Sequence, residues 1–216
     1  MTPVVRPRIM RSMESIVLAS SSARRRELLE SVGLPYLRRD PEVDESLRDG
    51  LPPPERVVAL AIDKARAAAA GLEEGAPRLV LGADTLVCLP LSAGRETVMG
   101  KPADREEARA MISALAGKDH LVHTGLALLD RRGGALRTIR SDSHVRFGPM
   151  SAEEFDRYLD SGEWEGVAGA YRIQGAAALY IDRIQGSWSG IVGLPLRELY
   201  GILVEAGYRF RSVAAE

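Results

Sequence analysis

The 216-residue sequence contains a single cysteine, Cys88. That excludes an internal disulfide and any cysteine-rich zinc site, and it fits a reducing compartment. Net charge is nearly absent, because 29 Lys and Arg against 30 Asp and Glu leave −1. Capture of nucleic acid by bulk charge is therefore not expected, although a local basic cleft stays open. No apolar stretch approaches the roughly 20 residues needed to span a bilayer. The segment Met1 to Met13 carries Arg6, Arg8 and Arg11 with no apolar core after them. It reads as a flexible extension over residues 1–14 rather than a secretory signal, which makes the cytoplasm the expected location. His120, His123 and His144 lack the spacing of a His-Glu-x-x-His metal motif. The Gly-rich bend Gly186 to Pro195 matches neither a Walker A loop nor a Gly-x-Gly-x-x-Gly fingerprint. No internal repeat is present.

What is present is an alternation of strand and helix patterns in a chain that is 45% apolar and 27% charged, as expected of one globular domain over residues 15–212. Strands are predicted over Ser15–Ala19, Arg78–Cys88, Leu121–Leu129, Leu136–Phe147 and Ala176–Ile184. The third and fourth join through Arg132-Gly133-Gly134 as a hairpin. Helices are predicted over Ala23–Val32, with Leu28, Leu29 and Val32 inward and Gly33 as the stop, and from Pro54 to about Ala70. Further helices follow a capping-box-like Asp104 and Glu107, follow Ser151 and Glu154, and span Leu194–Ala206. The fold class is α/β, a single domain with a mixed, elongated central sheet flanked by helices.

Leu18 to Arg26 places three serines and three arginines where a strand gives way to a helix. A helix start leaves N–H groups unpaired and carries partial positive charge. With Ser20 and Ser22 donating and Arg24 to Arg26 adding charge, such an end suits a phosphate chain. The alternative is an ordinary serine cap before a solvated basic turn. Asp84 is out of place inside an apolar strand, because an unpaired buried carboxylate is costly. It must sit at the strand's exit facing a cleft or be paired, and Gly82 before it permits close approach of a ligand or backbone. Lys64 falls on the same helix face as Val57, Leu60 and Ala61, where a lysine commonly snorkels. Lys101 lies in a non-helical segment, and Pro41 to Glu45 offers loop carboxylates. Cys88 reads as a small core residue.

Taken together, these segments resemble the Maf family of nucleoside triphosphate pyrophosphatases. The resemblance rests, in order, on Leu18-Ala-Ser-Ser-Ser-Ala-Arg-Arg25, Lys64-Ala65, Gly82-Ala-Asp-Thr85, Gly100-Lys-Pro102, His120-Leu-Val-His-Thr-Gly125, Ala168-Gly-Ala-Tyr-Arg-Ile-Gln-Gly175 and Val192-Gly-Leu-Pro195. It covers about Ile16 to Phe210. The chain departs from the usual pattern at Ala23 (commonly proline), Val167 (commonly lysine) and Arg172 (commonly glycine), and Leu91 to Arg95 lengthen a loop.

The resemblance implies a fold of the Maf and ITPase-like kind. It implies hydrolysis of a nucleoside triphosphate between its α- and β-phosphates, with a divalent cation, Mg²⁺ or Mn²⁺, as cofactor. Asp84 would be the base and a metal ligand, with Glu45 as the second carboxylate. Ser20, Ser22, Arg24, Lys64 and Lys101 would hold phosphate oxygens. Gln174, Thr85 and Arg24 would mark the branch acting on dTTP and UTP, since a glutamine amide pairs with the alternating edge of uracil or thymine. A sister activity on 7-methyl-GTP, and a nucleotide-binding regulator of cell division without turnover, are the alternatives. A homodimer is implied only by the family.

Overall fold

The computed structural model describes residues 14–210; apart from Glu14, the expected N-terminal extension lies outside them. The chain runs β1 (Ile16–Ala19), α1 (Ala23–Ser31), β2 (Tyr36–Arg39), α2 (Pro53–Ala70), β3 (Leu79–Pro90), β4 (Glu96–Met99), α3 (Arg105–Leu115), β5 (Asp119–Asp130), β6 (Leu136–Phe147), α4 (Ala152–Asp160), β7 (Ile181–Gln185), α5 (Trp188–Val192) and α6 (Leu196–Glu205). The strands form a single seven-stranded sheet in the order β2-β1-β3-β5-β6-β7, with β4 also pairing β3. Pairing is parallel from β2 through β1 to β3 and antiparallel from β3 onward. The sheet is mixed, as the alternating pattern and the hairpin require.

The two faces of the sheet are packed differently. On one face α2 lies almost in contact with the backbone. A Cβ on Gly82 would sit 2.0 Å from the Ala61 carbonyl oxygen, and one on Gly125 would sit 2.4 Å from that of Val57. The small residues Ala61, Ala65, Ala68, Val17, Ala19, Val80 and Ala127 fill this thin layer. On the other face a thicker core gathers Leu28, Leu29, Ile112, Phe147, Tyr158 and Leu203 beneath α1, α3, α4 and α6. Glycine at 82 and 125 lets α2 descend, so a side chain projecting from it reaches the strand beneath.

Partial pairing of β3 makes the cleft. β1 pairs Val80 to Gly82 and then ends, whereas β4 pairs Val87 to Pro90. Between them, Ala83 to Leu86 pair only with β5. The other edge is open over that interval, and residues pointing to either face can reach the same space.

Several sequence expectations need correction. β2 and β4 are short edge strands that the patterning misses, since β2 is mostly exposed and β4 has four residues. The strand expected over Ala176–Ile184 begins as a 3₁₀ turn, Ala176–Tyr180, and only its second half joins the sheet. Helix α1 ends one residue early, so Val32 is a C-cap that is 40% exposed rather than an inward residue. The capping box at Ser151 and Glu154 is complete. At Asp104 the cap bonds Glu107 N–H, but the Glu107 carboxylate accepts from Ala103, one residue before the cap. Cys88 is fully buried, as expected of a core residue.

Candidate active site

The open edge of β3 faces a cavity of about 680 Å³ lined by all nine expected site residues: Ser20, Ser22, Arg24, Glu45, Lys64, Asp84, Thr85, Lys101 and Gln174. Residues about 150 positions apart in sequence therefore converge on one space, where β1 ends, α1 begins, the middles of α2 and β3 meet, and the loops after β4 and α4 arrive.

Asp84 lies mid-strand rather than at the end of β3. It still meets the cleft, because β1 stops beside it. Its Oδ1 accepts a hydrogen bond from Lys64 Nζ at 2.6 Å, and the same ammonium reaches Glu45 Oε1 at 2.6 Å. Lys64 is therefore no snorkelling surface lysine: its side chain is 13% exposed, and that of Asp84 is 8% exposed. The close approach of α2 over Gly82 puts it there. The second carboxylate oxygen, Asp84 Oδ2, is buried with no hydrogen-bond partner among the described residues. A buried carboxylate oxygen left unpaired costs about 1–3 kcal/mol or more, and such costs concentrate where a ligand or reacting group completes the set. Glu45, at the start of a 3₁₀ turn, has its carboxyl held below the ordinary range, where hydrogen bonding and charge from Lys64, with Lys101 and Arg25, outweigh its desolvation.

The arginines of α1 divide the work by helical geometry. Arg25 is enclosed: its Nε donates to the Gly193 carbonyl at 2.9 Å, one Nη to Ser20 Oγ at 3.1 Å, and the other to Thr85 Oγ1 at 3.2 Å. Thr124 in turn lies 3.0 Å from the Thr85 hydroxyl and donates to the Gly190 carbonyl. Burial lowers the Arg25 pKa, and the nearby Asp84 charge opposes that. Arg24, one residue earlier, turns into the cleft, where burial and then the Arg172 guanidinium lower its pKa. It makes no ion pair among the described residues. Arg24, Arg25, Lys64, Lys101 and Arg172 thus stand around two carboxylates, an excess of cations that a polyanion would neutralise.

Three finer placements modify the sequence reading. Ser22 caps α1, its Oγ accepting from the Arg25 N–H at 3.5 Å, so the ordinary serine cap is part of its role. Thr85 points away from Asp84 and holds Arg25. Gln174 is exposed in the cleft, and its amide makes no hydrogen bond among the described residues. The lengthened loop Leu91 to Arg95 forms the tip of the β3–β4 hairpin and does not line the cleft. Val167 is buried in the wall.

Sequence reasoning took Arg25 only as one charge of the Arg24 to Arg26 run and gave Tyr171 no role. The Tyr171 hydroxyl lies 2.8 Å from His120 Nε2. Burial holds the His120 imidazole down at about 4 and raises the Tyr171 phenol. His120 is therefore neutral near pH 7 and serves to fix a cleft wall. The signal for Arg25 was available: in Arg24-Arg25-Arg26, one side chain of three had to turn inward on a helix packed against the sheet. Cys88 is no nucleophile, since burial and the adjacent Glu96 push its thiol up to about 12. No helix among the described residues is long and apolar enough to cross a membrane.

Comparison with known proteins agrees with this arrangement over most of the chain. A dTTP/UTP pyrophosphatase of Pelotomaculum thermopropionicum is 45% identical over 196 residues, 91% of this chain and 98% of that protein. A dTTP/UTP pyrophosphatase of Treponema denticola is 39% identical over 201 residues, 91% of this chain and 99% of its own. One from Cereibacter sphaeroides is 44% identical over 202 residues, 93% of this chain and 100% of its own. The family model described as Maf-like protein matches residues 15–206, a span holding every cleft residue named above, and the chain belongs to that family.

Proposed function

We propose that the chain is a nucleoside triphosphate pyrophosphatase that hydrolyses dTTP and UTP to the monophosphate and pyrophosphate. The observation that carries this reading is the buried, unpartnered Asp84 Oδ2 at the centre of a cleft with surplus cations. The dTTP/UTP pyrophosphatases resembling this chain over most of its length support the substrate class.

In the reaction a water oxygen bonds to the α-phosphorus, the bond from that phosphorus to the bridging oxygen breaks, and pyrophosphate leaves. Asp84 Oδ2 takes a proton from the attacking water. Lys64, bonded to Oδ1, fixes the plane of the carboxylate. Arg24, Lys101 and Arg25 stabilise the charge gathering on the phosphate oxygens, with electrostatics as the main contribution. Ser20 positions Arg25, and Ser22 shapes the helix start that faces the phosphates.

The donor set also fits a divalent cation. Asp84 Oδ2 is free, Glu45 has a second carboxylate oxygen, and hard cations take one or two carboxylates plus phosphates and waters. Mg²⁺ or Mn²⁺ held there would neutralise the triphosphate and order it for attack.

Gln174 would read the base. Its amide offers the donor and acceptor that a uracil or thymine edge requires, and both are uncommitted among the described residues. Thr85 contributes to selectivity through Arg25, while Arg24 bridges the phosphates near Gln174. A site built on paired hydrogen bonds rejects bases that leave its polar groups unpaired, often by orders of magnitude. Pyrophosphate release from dTTP, UTP, CTP, GTP and 7-methyl-GTP tests this. The expected ranking puts dTTP and UTP first and comparable, collapsing in Gln174→Ala. A preference for 7-methyl-GTP, binding without turnover, or an unchanged ranking in Gln174→Ala would overturn it.

A further inference from the structure

Cys88, Glu96 and His123 stand close together on the same sheet face as Asp84, beyond the open edge of β3. Sγ, a Glu96 oxygen and a His123 ring nitrogen all lie within 4.8 Å of one another. The strand register explains the meeting. Leu86 pairs with His123 across β3 and β5, and alternation keeps Cys88 on the face of Leu86. Pro90 pairs with Glu96 and Cys88 with Val98, so Glu96 faces the same way from β4. His123 pairs with Asp142 across β5 and β6, which extends the row to a fourth strand. Linear spacing could not show this group, because it is assembled across the sheet rather than along one element.

The hydrogen bonding of His123 is the second observation. Its Nδ1 lies 2.7 Å from Asp142 Oδ1, and its Nε2 lies 2.9 Å from Glu96 Oε2. A neutral imidazole carries one N–H. An imidazolium would donate to both carboxylates; in the neutral ring, with Asp142 accepting at Nδ1, the Nε2 lone pair is left facing the Glu96 carboxylate, a gap that a proton or a metal cation fills. Asp142 is itself gripped by the Arg140 Nε at 2.9 and 3.0 Å. A carboxylate holding the far nitrogen of a histidine is the usual support for a metal-bound imidazole.

We propose that Cys88, Glu96 and His123 form a second, thiolate-containing divalent metal site, with zinc as the metal class its donors select. One thiolate, one imidazole and one carboxylate suit Zn²⁺, with water as the fourth ligand. Neutral His123, anionic Glu96 and an anionic Cys88 sulfur balance a divalent charge in a buried place. The metal takes the position of the Cys88 and bridging protons and releases them to solvent. Tetrahedral coordination at ordinary bond lengths sets neighbouring N and O ligands about 3.3 Å apart, so Nε2 and Oε2 need open only slightly from 2.9 Å. Arg56 of α2 also reaches this face, and its charge is shared with Asp49 at 2.5 Å. Bound metal would clamp β4 to β3 and β5 just before Gly100 and Lys101 enter the cleft.

The test is Co²⁺ titration of the metal-stripped full chain, read by the near-ultraviolet thiolate-to-cobalt absorption band. The expected result is a band saturating at one equivalent, lost in Cys88→Ser and weakened about hundredfold or more in His123→Gln and Glu96→Gln. Asp142→Asn should weaken it by about 10–100-fold, as for a lost metal-supporting carboxylate. Asp84→Asn should leave the titration unchanged, which separates this site from any cation in the cleft. If Cys88→Ser does not fold, the His123 and Glu96 variants carry the test. Absence of the band in the unaltered chain, its survival in His123→Gln, or its loss in Asp84→Asn would overturn the proposal.

Discussion

Asp84 and Cys88 lie on one face of one strand, four residues apart, and their surroundings could hardly differ more. Beside Asp84 the sheet is open, because β1 has ended and β4 has not begun. One carboxylate oxygen is bonded to Lys64, the other has no partner among the described residues, and cations crowd the space. Beside Cys88 the strand is paired on both edges, and the polar groups face one another rather than a cavity. The difference is one of edge pairing, not residue type. A gap of a few residues in β-pairing turns a buried acid into an accessible one, while closed pairing turns a similar set of groups into a cross-strand brace.

Two substitutions separate these regions most sharply. Asp84→Asn should lower kcat by about 10²–10⁴-fold, as loss of a positioned base does. Thermal melting and nucleotide binding should stay close to normal, since Lys64 retains Glu45. Cys88→Ser should do the reverse. Turnover under saturating substrate should persist, while melting falls, because a buried polar group replaces a packed sulfur at a cost of about 1–3 kcal/mol. Equal activity loss in both variants would erase the distinction.

Within the cleft, Arg24→Ala and Lys101→Ala should each reduce kcat/KM by about tenfold to hundredfold, the value of a charge-assisted contact. Neither should shift the melting temperature appreciably. If the loss instead followed melting, both residues would return to a structural role.

Much of the cleft was legible in the sequence. Asp84 stood out because an acid is costly in an apolar strand, and the serine–arginine helix start because its chemistry suits phosphate. Arg25 was legible only as one charge of a basic run, because its partners, the Gly193 carbonyl and the Thr85 hydroxyl, come from distant segments. The edge strands β2 and β4 were hidden because short, exposed strands have little periodicity to read. The 3₁₀ turn at Ala176–Tyr180 carried a strand-like apolar pattern that tertiary context overrode. His123 looked uninformative because its neighbours come from other strands. Local patterns thus located the cleft, whereas its closure depended on register.

His120 offers a pH handle on the cleft wall. Burial lowers its pKa from 6.5 to about 4, so between those values the unfolded chain binds the additional proton. Its contribution to stability is complete above about pH 6.5 and is lost as pH falls toward 4. Melting temperature measured from pH 7 to 4 should fall more steeply in the unaltered chain than in His120→Gln; parallel curves would remove His120 from the acid sensitivity.

The smallest expected effect belongs to Arg172. It is exposed and repels Arg24 until an anion lies between them. Arg172→Gly should raise KM for dTTP by about two- to fivefold with kcat unchanged, as expected for a solvent-screened charge. A fall in kcat would place it nearer the reacting phosphorus than the cleft geometry does.

The most direct test of the account is hydrolysis of dTTP in water labelled with heavy oxygen, followed by mass analysis of both products. Attack at the α-phosphorus beside Asp84 predicts one labelled oxygen in the thymidine monophosphate and none in the pyrophosphate. Label in the pyrophosphate, or release of inorganic phosphate with a diphosphate product, would contradict it.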